Sequence, residues 1–173
     1  PANHMLLELL KAYPDFRVSF SISGLALEQM EYYKPALIDS FKELAATGRV
    51  EFVAETYAHS VASLYDPVEF RNQVRMQQTK LRELFGIERS RVFCNSELIY
   101  SDEIASEVAA MGYEGIITEG AKHVLGWKSP NYLYDAAAEP RTKLLLRNAP
   151  LTELVTNHFT NYGSPEYPVT ADK

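Results

Sequence analysis

The chain has 173 residues, of which 46% are hydrophobic and 23% are charged, and its formal net charge is −6 at neutral pH. These values fit one globular domain with a substantial core, and the acidic balance argues against a nucleic-acid partner, which requires a basic face. No apolar run approaches the roughly 18 residues of a membrane span, so we expect no membrane partner. The single cysteine, Cys94, excludes an intrachain disulfide. Because Pro1–Met5 show no basic segment followed by an apolar one, we expect a cytoplasmic location.

Hydrophobic residues recur at helical spacing in several stretches of the chain. One stretch contains Pro35, which has no backbone N–H, so it predicts two consecutive helices instead of one. Asp66 followed by Pro67 predicts an N-cap and a first helical residue, and Gly86 predicts the end of that helix. The predicted helices cover residues 2–13, 25–47, 67–85, 101–111 and 151–159.

Short apolar or alternating runs lie between these helices and predict strands. The predicted strands cover residues 17–22, 49–54, 92–94, 115–118, 132–134 and 143–147, and residues 127–132 predict a loop. Alternation of strand and helix is typical of a parallel sheet with crossover helices. Cys94 falls inside a predicted strand, where we expect it to be a small buried side chain in the wall of the sheet.

Four of the predicted strands end in polar residues. These ends are Ser21–Ser23, Glu55–Tyr57, Asn95–Glu97 and Thr118–Glu119. Parallel strands place such ends at one edge of the sheet, so we expect Glu55, Glu97 and Glu119 to meet at one rim. Three carboxylates gathered there repel each other unless a substrate, a cation or a proton separates them, which indicates a functional site more than a set of helix caps.

Glycoside hydrolysis is one chemistry that such a rim supports, because it uses two carboxylates on either side of the bond that is cleaved. In a retaining enzyme they stand roughly 5–5.5 Å apart. Metal-dependent hydrolysis is the competing chemistry. Of the four histidines, His4, His59, His123 and His158, no two are spaced three to five residues apart, so we expect no metal and no cofactor. His59 follows a strand end, where it could bind a sugar hydroxyl or be satisfied by local backbone.

Four blocks of the sequence resemble the α-amylase-like branch of glycoside hydrolase family 57, in the same order along the chain. They are residues 51–60, 93–105, 125–132 and 143–148, and the resemblance runs from about residue 1 to 148. It implies an incomplete (β/α)7 barrel, an α-glucan or maltooligosaccharide substrate and a retaining mechanism without a metal.

The resemblance also implies roles for individual residues. Glu97 stands where the family has its nucleophile, Glu55 and His59 would bind the sugar near the cleavage point, and Trp127 could stack on a glucose ring. Tyr57 and Glu119 complete the predicted substrate-binding set, since both lie at strand ends beside these residues.

Two features of the family are not found in the sequence. The His-Gln-Pro motif of the first strand does not precede Pro1, and the block with the Asp general acid does not follow Lys173. Residues 152–158 also depart from the acidic pattern of the family. We therefore expect residues 1–173 to be a single, partial catalytic barrel domain, with sheet edges that the rest of that domain or another chain would cover. This chain alone is expected to hydrolyse α-glucan poorly or not at all.

Two other functions compete with this hypothesis. The first is a non-catalytic glucan-binding or scaffold homologue that has kept the barrel and lost the acid. The second is a metal-dependent carbohydrate deacetylase on a related barrel, which the missing histidine ligands disfavour. The residues do not distinguish hydrolysis from transfer of the α-1,4-glucosidic bond.

Overall fold

A computed structural model describes residues 2–170 and 172 of the chain, and a mainly parallel β-sheet forms its centre. The strands are β1 Val18–Ser21, β2 Val50–Val53, β3 Val92–Cys94, β4 Gly115–Glu119, β5 Tyr134–Asp135 and β6 Lys143–Arg147. Strand β1 pairs with β2, and β3, β4 and β6 pair in that order, all parallel, whereas β5 is antiparallel to β6. The predicted parallel α/β organisation is confirmed.

The two groups of strands are joined at a single point between β2 and β3. The backbone N–H of Ala54 donates to the carbonyl of Val92 at 2.9 Å, and the N–H of Cys94 donates to the carbonyl of Ala54 at 2.7 Å. The order across the described strands is therefore β1, β2, β3, β4, β6, β5. Since β1 to β4 run in the same direction, their carboxyl ends lie at one edge of the sheet.

Helices connect the strands, and the first five of them lie where the sequence predicts them. They are α1 Ala2–Ala12, α2 Gly24–Tyr33, α3 Pro35–Ala46, α4 Pro67–Phe85, α5 Asp102–Ala110, α6 Lys122–Leu125 and α7 Ala149–Glu153. Single 3₁₀ turns cover Ala62–Leu64 and Ser96–Leu98. No helix in the described part of the chain has both the length and the apolar character needed to cross a membrane.

Local sequence signals account for the ends of the longest helices. Pro35 separates α2 from α3 and occupies the first turn of α3. Asp66 Oδ1 accepts hydrogen bonds from the N–H groups of Val68 and Glu69 at 2.9 and 3.0 Å, which caps α4. Gly86 ends α4 in the left-handed conformation, at φ 69°, which costs glycine little.

The later part of the chain departs from its predictions. The helix predicted from Leu151 begins at Ala149, because the Asn148 side chain caps it by accepting from the Leu151 N–H at 3.1 Å. The chain then continues as a π-helical turn at Leu154–His158, which no pattern in the sequence indicated. Helix α6 was also not predicted.

The core consists of two groups of buried side chains. The first lies around β2, β3 and β4 and includes Ala54, Phe70, Val74, Phe93, Ile104, Val108, Ile116 and Leu144. The second lies between α1, α2, α3 and β2 and includes Leu7, Leu10, Leu27, Ile38, Phe41, Leu44, Phe52 and Leu81. Helix α4 supplies residues to both groups, so it fixes the two halves of the sheet against the same helix.

Candidate active site

A cavity of about 580 Å³ opens at the carboxyl ends of β1, β2 and β3. Its polar wall consists of Ser21, Ser23, Glu55, His59, Cys94, Asn95 and Glu97. Its apolar wall consists of Phe20, Ile22, Ala26, Met30, Phe41 and Leu98. A mixed wall of this kind suits a neutral polar ligand with apolar faces, such as a sugar ring.

Glu55 is a buried carboxyl group in this wall, with 5% of its surface exposed. Burial raises its pKa above the ordinary value, and hydrogen bonds from His59 and Ser21 oppose that rise. Glu55 therefore holds a proton more readily than a glutamate at the surface does.

His59 lies between two carboxyl groups that come from different strands. Its Nδ1 is 3.4 Å from Oε2 of Glu55, which follows β2, and its Nε2 is 3.3 Å from Oε1 of Glu97, which follows β3. The Glu97 side chain is 72% exposed, whereas that of Glu55 is 6% exposed. The imidazole thus connects a buried carboxyl group to one that a ligand can reach.

The backbone at this contact is strained. His59, Glu97 and Leu98 have φ values of 53°, 54° and 56°, and they are the non-glycine residues with positive φ in the described part of the chain. Residues with a side chain avoid this region, and each costs on the order of 1 kcal/mol or more. Strain of this kind is found where surrounding bonds fix a functional group.

Hydrogen bonds across the strand ends hold these strained turns in place. The hydroxyl groups of Thr56 and Ser96 lie 2.9 Å apart and link the segment after β2 to the segment after β3. Thr56 Oγ1 also accepts from the Ser60 N–H at 2.8 Å. The Thr118 hydroxyl donates to the carbonyl of Leu98 at 2.8 Å, so β4 fixes the turn that carries Glu97.

The structure does not bring Tyr57 into the cavity. Its ring packs against Gly24, where an added Cβ would meet the ring at 2.1 Å, and its hydroxyl donates to Glu28. Burial and the Glu28 carboxylate raise the pKa of Tyr57 to about 12. The predicted contact between Tyr57 and a sugar stays a prediction, and the position of Tyr57 outside the cavity does not support it.

Glu119 and Trp127 also lie apart from the cavity wall. Glu119 is at the same sheet edge, but its Oε2 is 2.7 Å from Nε of Arg147, at the end of the neighbouring β6. Trp127 follows α6 and is 93% exposed. Of the six predicted site residues, the structure therefore brings together Glu55, His59 and Glu97.

Cys94 corrects an expectation from the sequence. It was expected in the wall of the sheet, but it is half-buried and lines the cavity. Burial raises the pKa of its thiol, and a hydrogen bond with Ser21 opposes that rise. The period of two along a strand could have placed it there, because its neighbour Phe93 is fully buried on the opposite face.

Asn95 was quoted in the motif but not predicted as a site residue. It is 2% exposed, and its Nδ2 donates to the carbonyl of Ile99 at 2.9 Å and to Ser63 Oγ at 3.1 Å. Its Oδ1 is buried without a hydrogen-bond partner in the described part of the structure.

The donor set at the cavity consists of carboxyl, imidazole, thiol, amide and hydroxyl groups. Among residues 2–170 and 172, no three His, Cys, Asp or Glu side chains converge closely enough to hold a metal ion. An accessible carboxylate, fixed by an imidazole at the end of a parallel strand, can act as a nucleophile, a base or a ligand for a cation.

A parallel α/β sheet with paired carboxyl groups at its carboxyl edge is the arrangement of many glycoside hydrolases. The chain matches the family model described as "Glycosyl hydrolase family 57" over residues 1–173, and it belongs to that family. A Methanocaldococcus jannaschii protein named "Putative alpha-amylase" is 41% identical over 174 residues, covering 100% of this chain and 36% of that protein. The chain thus spans about a third of this relative.

Two solved structures resemble the fold. A 4-alpha-glucanotransferase from Thermococcus litoralis matches with a TM-score of 0.72 and 20% identity, over 88% of this chain and 25% of that chain. A "putative polysaccharide deacetylase" from Mycobacterium smegmatis matches with a TM-score of 0.65 and 14% identity, over 93% of this chain and 52% of that chain. At these identities the similarity establishes the fold alone.

Proposed function

We propose that the chain carries the nucleophile of a retaining glycoside hydrolase that acts on α-glucans, and that Glu97 is this nucleophile. The observation that carries the proposal is the position of Glu97: its carboxylate is exposed at the cavity, follows a parallel strand and contacts His59 at 3.3 Å. Membership of the family and the names of the relatives, an alpha-amylase and a 4-alpha-glucanotransferase, support the α-glucan substrate.

The two carboxyl groups at the cavity are suited to different tasks. A nucleophile must be accessible to the anomeric carbon, and the Glu97 side chain is 72% exposed whereas that of Glu55 is 6% exposed. In the first step a Glu97 oxygen bonds to the anomeric carbon as the bond to the leaving oxygen breaks. A water molecule, or the hydroxyl of an acceptor sugar, then displaces Glu97, so hydrolysis and transfer pass through the same intermediate.

The first step also needs a general acid that protonates the leaving oxygen. Glu55 is buried, and His59 lies between it and Glu97, so it is poorly placed for that task. The family resemblance assigns the acid to an aspartate outside the matched blocks of this chain. We therefore propose that residues 1–173 alone bind α-glucan and turn it over poorly.

Replacement of Glu97 tests the assignment in the full-length protein. We expect Glu97→Gln to lower kcat on maltoheptaose by on the order of 10³-fold or more, because the amide does not form the glycosyl ester. Glu8→Gln on the exposed face of α1, where the carboxylate contacts His4, is the control and should retain activity. A 2-deoxy-2-fluoro glycosyl fluoride should label Glu97, as detected by peptide mass spectrometry.

Two outcomes would contradict the proposal. Ordinary turnover by Glu97→Gln, or a label on another carboxylate, would remove Glu97 from the mechanism. Calorimetric binding of maltoheptaose by a full-length protein that neither turns over nor takes the label would instead indicate a non-catalytic glucan-binding homologue.

A further inference from the structure

His59 contacts both carboxyl groups of the cavity, and its contacts differ from those of a group that binds substrate. Each ring nitrogen is already directed at a protein oxygen, Nδ1 at Glu55 and Nε2 at Glu97. The contacts of 3.4 and 3.3 Å are long, as catalytic hydrogen bonds often are before substrate binds. A sugar hydroxyl would have to displace one of these carboxyl groups to reach the imidazole.

We propose that His59 is a positioning residue. The Nε2–H group of His59 donates to the Glu97 carboxylate and fixes its orientation, and the buried Glu55 holds Nδ1 of His59. This inference rests on Glu97 being the nucleophile. It assigns His59 and Glu55 to orienting that nucleophile, whereas the resemblance to the family implied that both residues bind sugar.

The direction of the hydrogen bonds follows from counting protons. If one proton lies between Glu55 and Nδ1, either Glu55 is neutral and donates to Nδ1, or Nδ1 is protonated and donates to ionised Glu55. In the first state the neutral imidazole carries its hydrogen on Nε2, which donates to Glu97, whereas in the second state Nε2 does so only if the imidazole is doubly protonated. Burial of Glu55 favours the first state, since an ionised carboxylate is costly there.

Cys94 is the other ionisable group that lines the cavity. It pairs with Ser21, so it does not take over the contact that His59 makes with Glu97. The contact from His59 goes to Oε1 of Glu97, which leaves Oε2 as the oxygen that can attack the anomeric carbon. Both His59 and Glu97 have a left-handed backbone, and their side chains are in contact across the ends of β2 and β3.

A matched pair of variants in the full-length protein tests this role. His59→Gln and His59→Met have unbranched side chains of similar length and impose the same strain at φ 53°, but only glutamine has an N–H donor. We expect His59→Met to lower kcat by on the order of 10²-fold with KM nearly unchanged, because a nucleophile misplaced by about 1 Å loses that much rate. We expect His59→Gln to recover about tenfold of this loss, the effect of one hydrogen bond of about 1.4 kcal/mol.

A second measurement does not depend on activity. In the substrate-free protein, the ¹⁵N NMR resonance of His59 Nε2 should shift when Glu97 is replaced by Gln, because a neutral amide is a weaker acceptor than a carboxylate. His4 is the control, since its Nε2 lies 3.4 Å from Glu8 Oε1 on the exposed face of α1. Its resonance should not respond to Glu97→Gln, and His4→Met should leave kcat unchanged.

The outcomes separate this inference from the proposed function. A rise in KM without loss of kcat in His59→Met would overturn the inference and assign His59 to sugar binding. Equal activities of His59→Gln and His59→Met, or a His59 resonance that ignores Glu97→Gln, would also overturn it. In each of these cases a Glu97→Gln variant that stays inactive leaves the proposed nucleophile standing, whereas an active one contradicts the proposed function itself.

Discussion

Glu55 illustrates at the scale of one residue how burial and chemistry are linked. Its side chain is 6% exposed, and Nδ1 of His59 lies 3.4 Å from its Oε2. Burial raises its pKa above the ordinary value of 4.5, so the folded chain binds a proton on Glu55 at pH values where the unfolded chain has released it. The contribution of this group to stability is therefore complete below about pH 4.5 and is lost as pH rises through the folded pKa.

A comparison of the free energies of unfolding of Glu55→Gln and the unmodified chain should show this pH dependence. Glutamine does not titrate, so the free energy of unfolding of Glu55→Gln relative to the unmodified chain should increase between pH 4 and pH 7.5. Urea denaturation at several pH values measures it. Glu8→Gln on the exposed face of α1 provides the control. A difference that stays constant with pH would show that Glu55 titrates in the folded chain as it does in the unfolded one.

The residues of the site differ in how well the sequence predicts them. The positions of Glu55 and Glu97 at the rim were predictable because each lies two or three residues beyond the end of a parallel strand, and that of His59 because it lies in the same motif. Tyr57 was not, because the alternation of side chains stops where the chain leaves β2, and its ring turns towards Gly24 and Glu28. A residue beyond the end of a strand has no periodicity that fixes its direction.

At the scale of one element, the start of α4 depends on Asp66. Its side chain accepts hydrogen bonds from two free N–H groups of the first turn, those of Val68 and Glu69. Asp66→Ala should lower the free energy of unfolding by about 1–2 kcal/mol, as measured by urea denaturation. Asp39→Ala on α3 removes only an exposed contact with Lys42 and should stay within about 0.5 kcal/mol. Equal effects of the two variants would show that Asp66 does not stabilise α4.

Elements that neighbouring residues define were predicted from the sequence, whereas α6 and the π-helical turn after α7 were not. Asp66, Pro67 and Gly86 define α4 from neighbouring residues alone. The π-helical turn after α7 has no such signal, since one extra residue per turn changes neither the composition nor the apolar spacing enough to be seen. Helix α6 has four residues, fewer than periodicity can detect.

At the scale of the whole molecule, Gln77 connects the two core groups. It lies on α4 between Val74, which belongs to the first group, and Leu81, which belongs to the second, and it is fully buried. Its Nε2 donates to the carbonyls of Ile22 and Val53 at 3.2 and 3.4 Å. One side chain thus ties α4 to the segment after β1 and to the end of β2, beside the cavity.

Gln77→Leu should therefore destabilise the whole fold although it adds an apolar side chain to a buried position. We expect a loss of about 1–3 kcal/mol in the free energy of unfolding, because two backbone carbonyls are left without this donor. The half-exposed Met76, next to it on α4, offers Met76→Leu as a control with little effect. Denaturation midpoints that rise in Gln77→Leu would show that apolar packing outweighs these hydrogen bonds.

The left-handed backbone at His59, Glu97 and Leu98 has a consequence for the evolution of heat resistance. Glycine or asparagine would relieve that strain, so mutations at these codons are a ready source of thermal tolerance. If the chain acts as proposed, the same exchanges at codons 59 and 97 would remove the positioning imidazole and the nucleophilic carboxylate. Lineages under selection for both properties would have to gain their heat resistance at other positions, of which Leu98 is one.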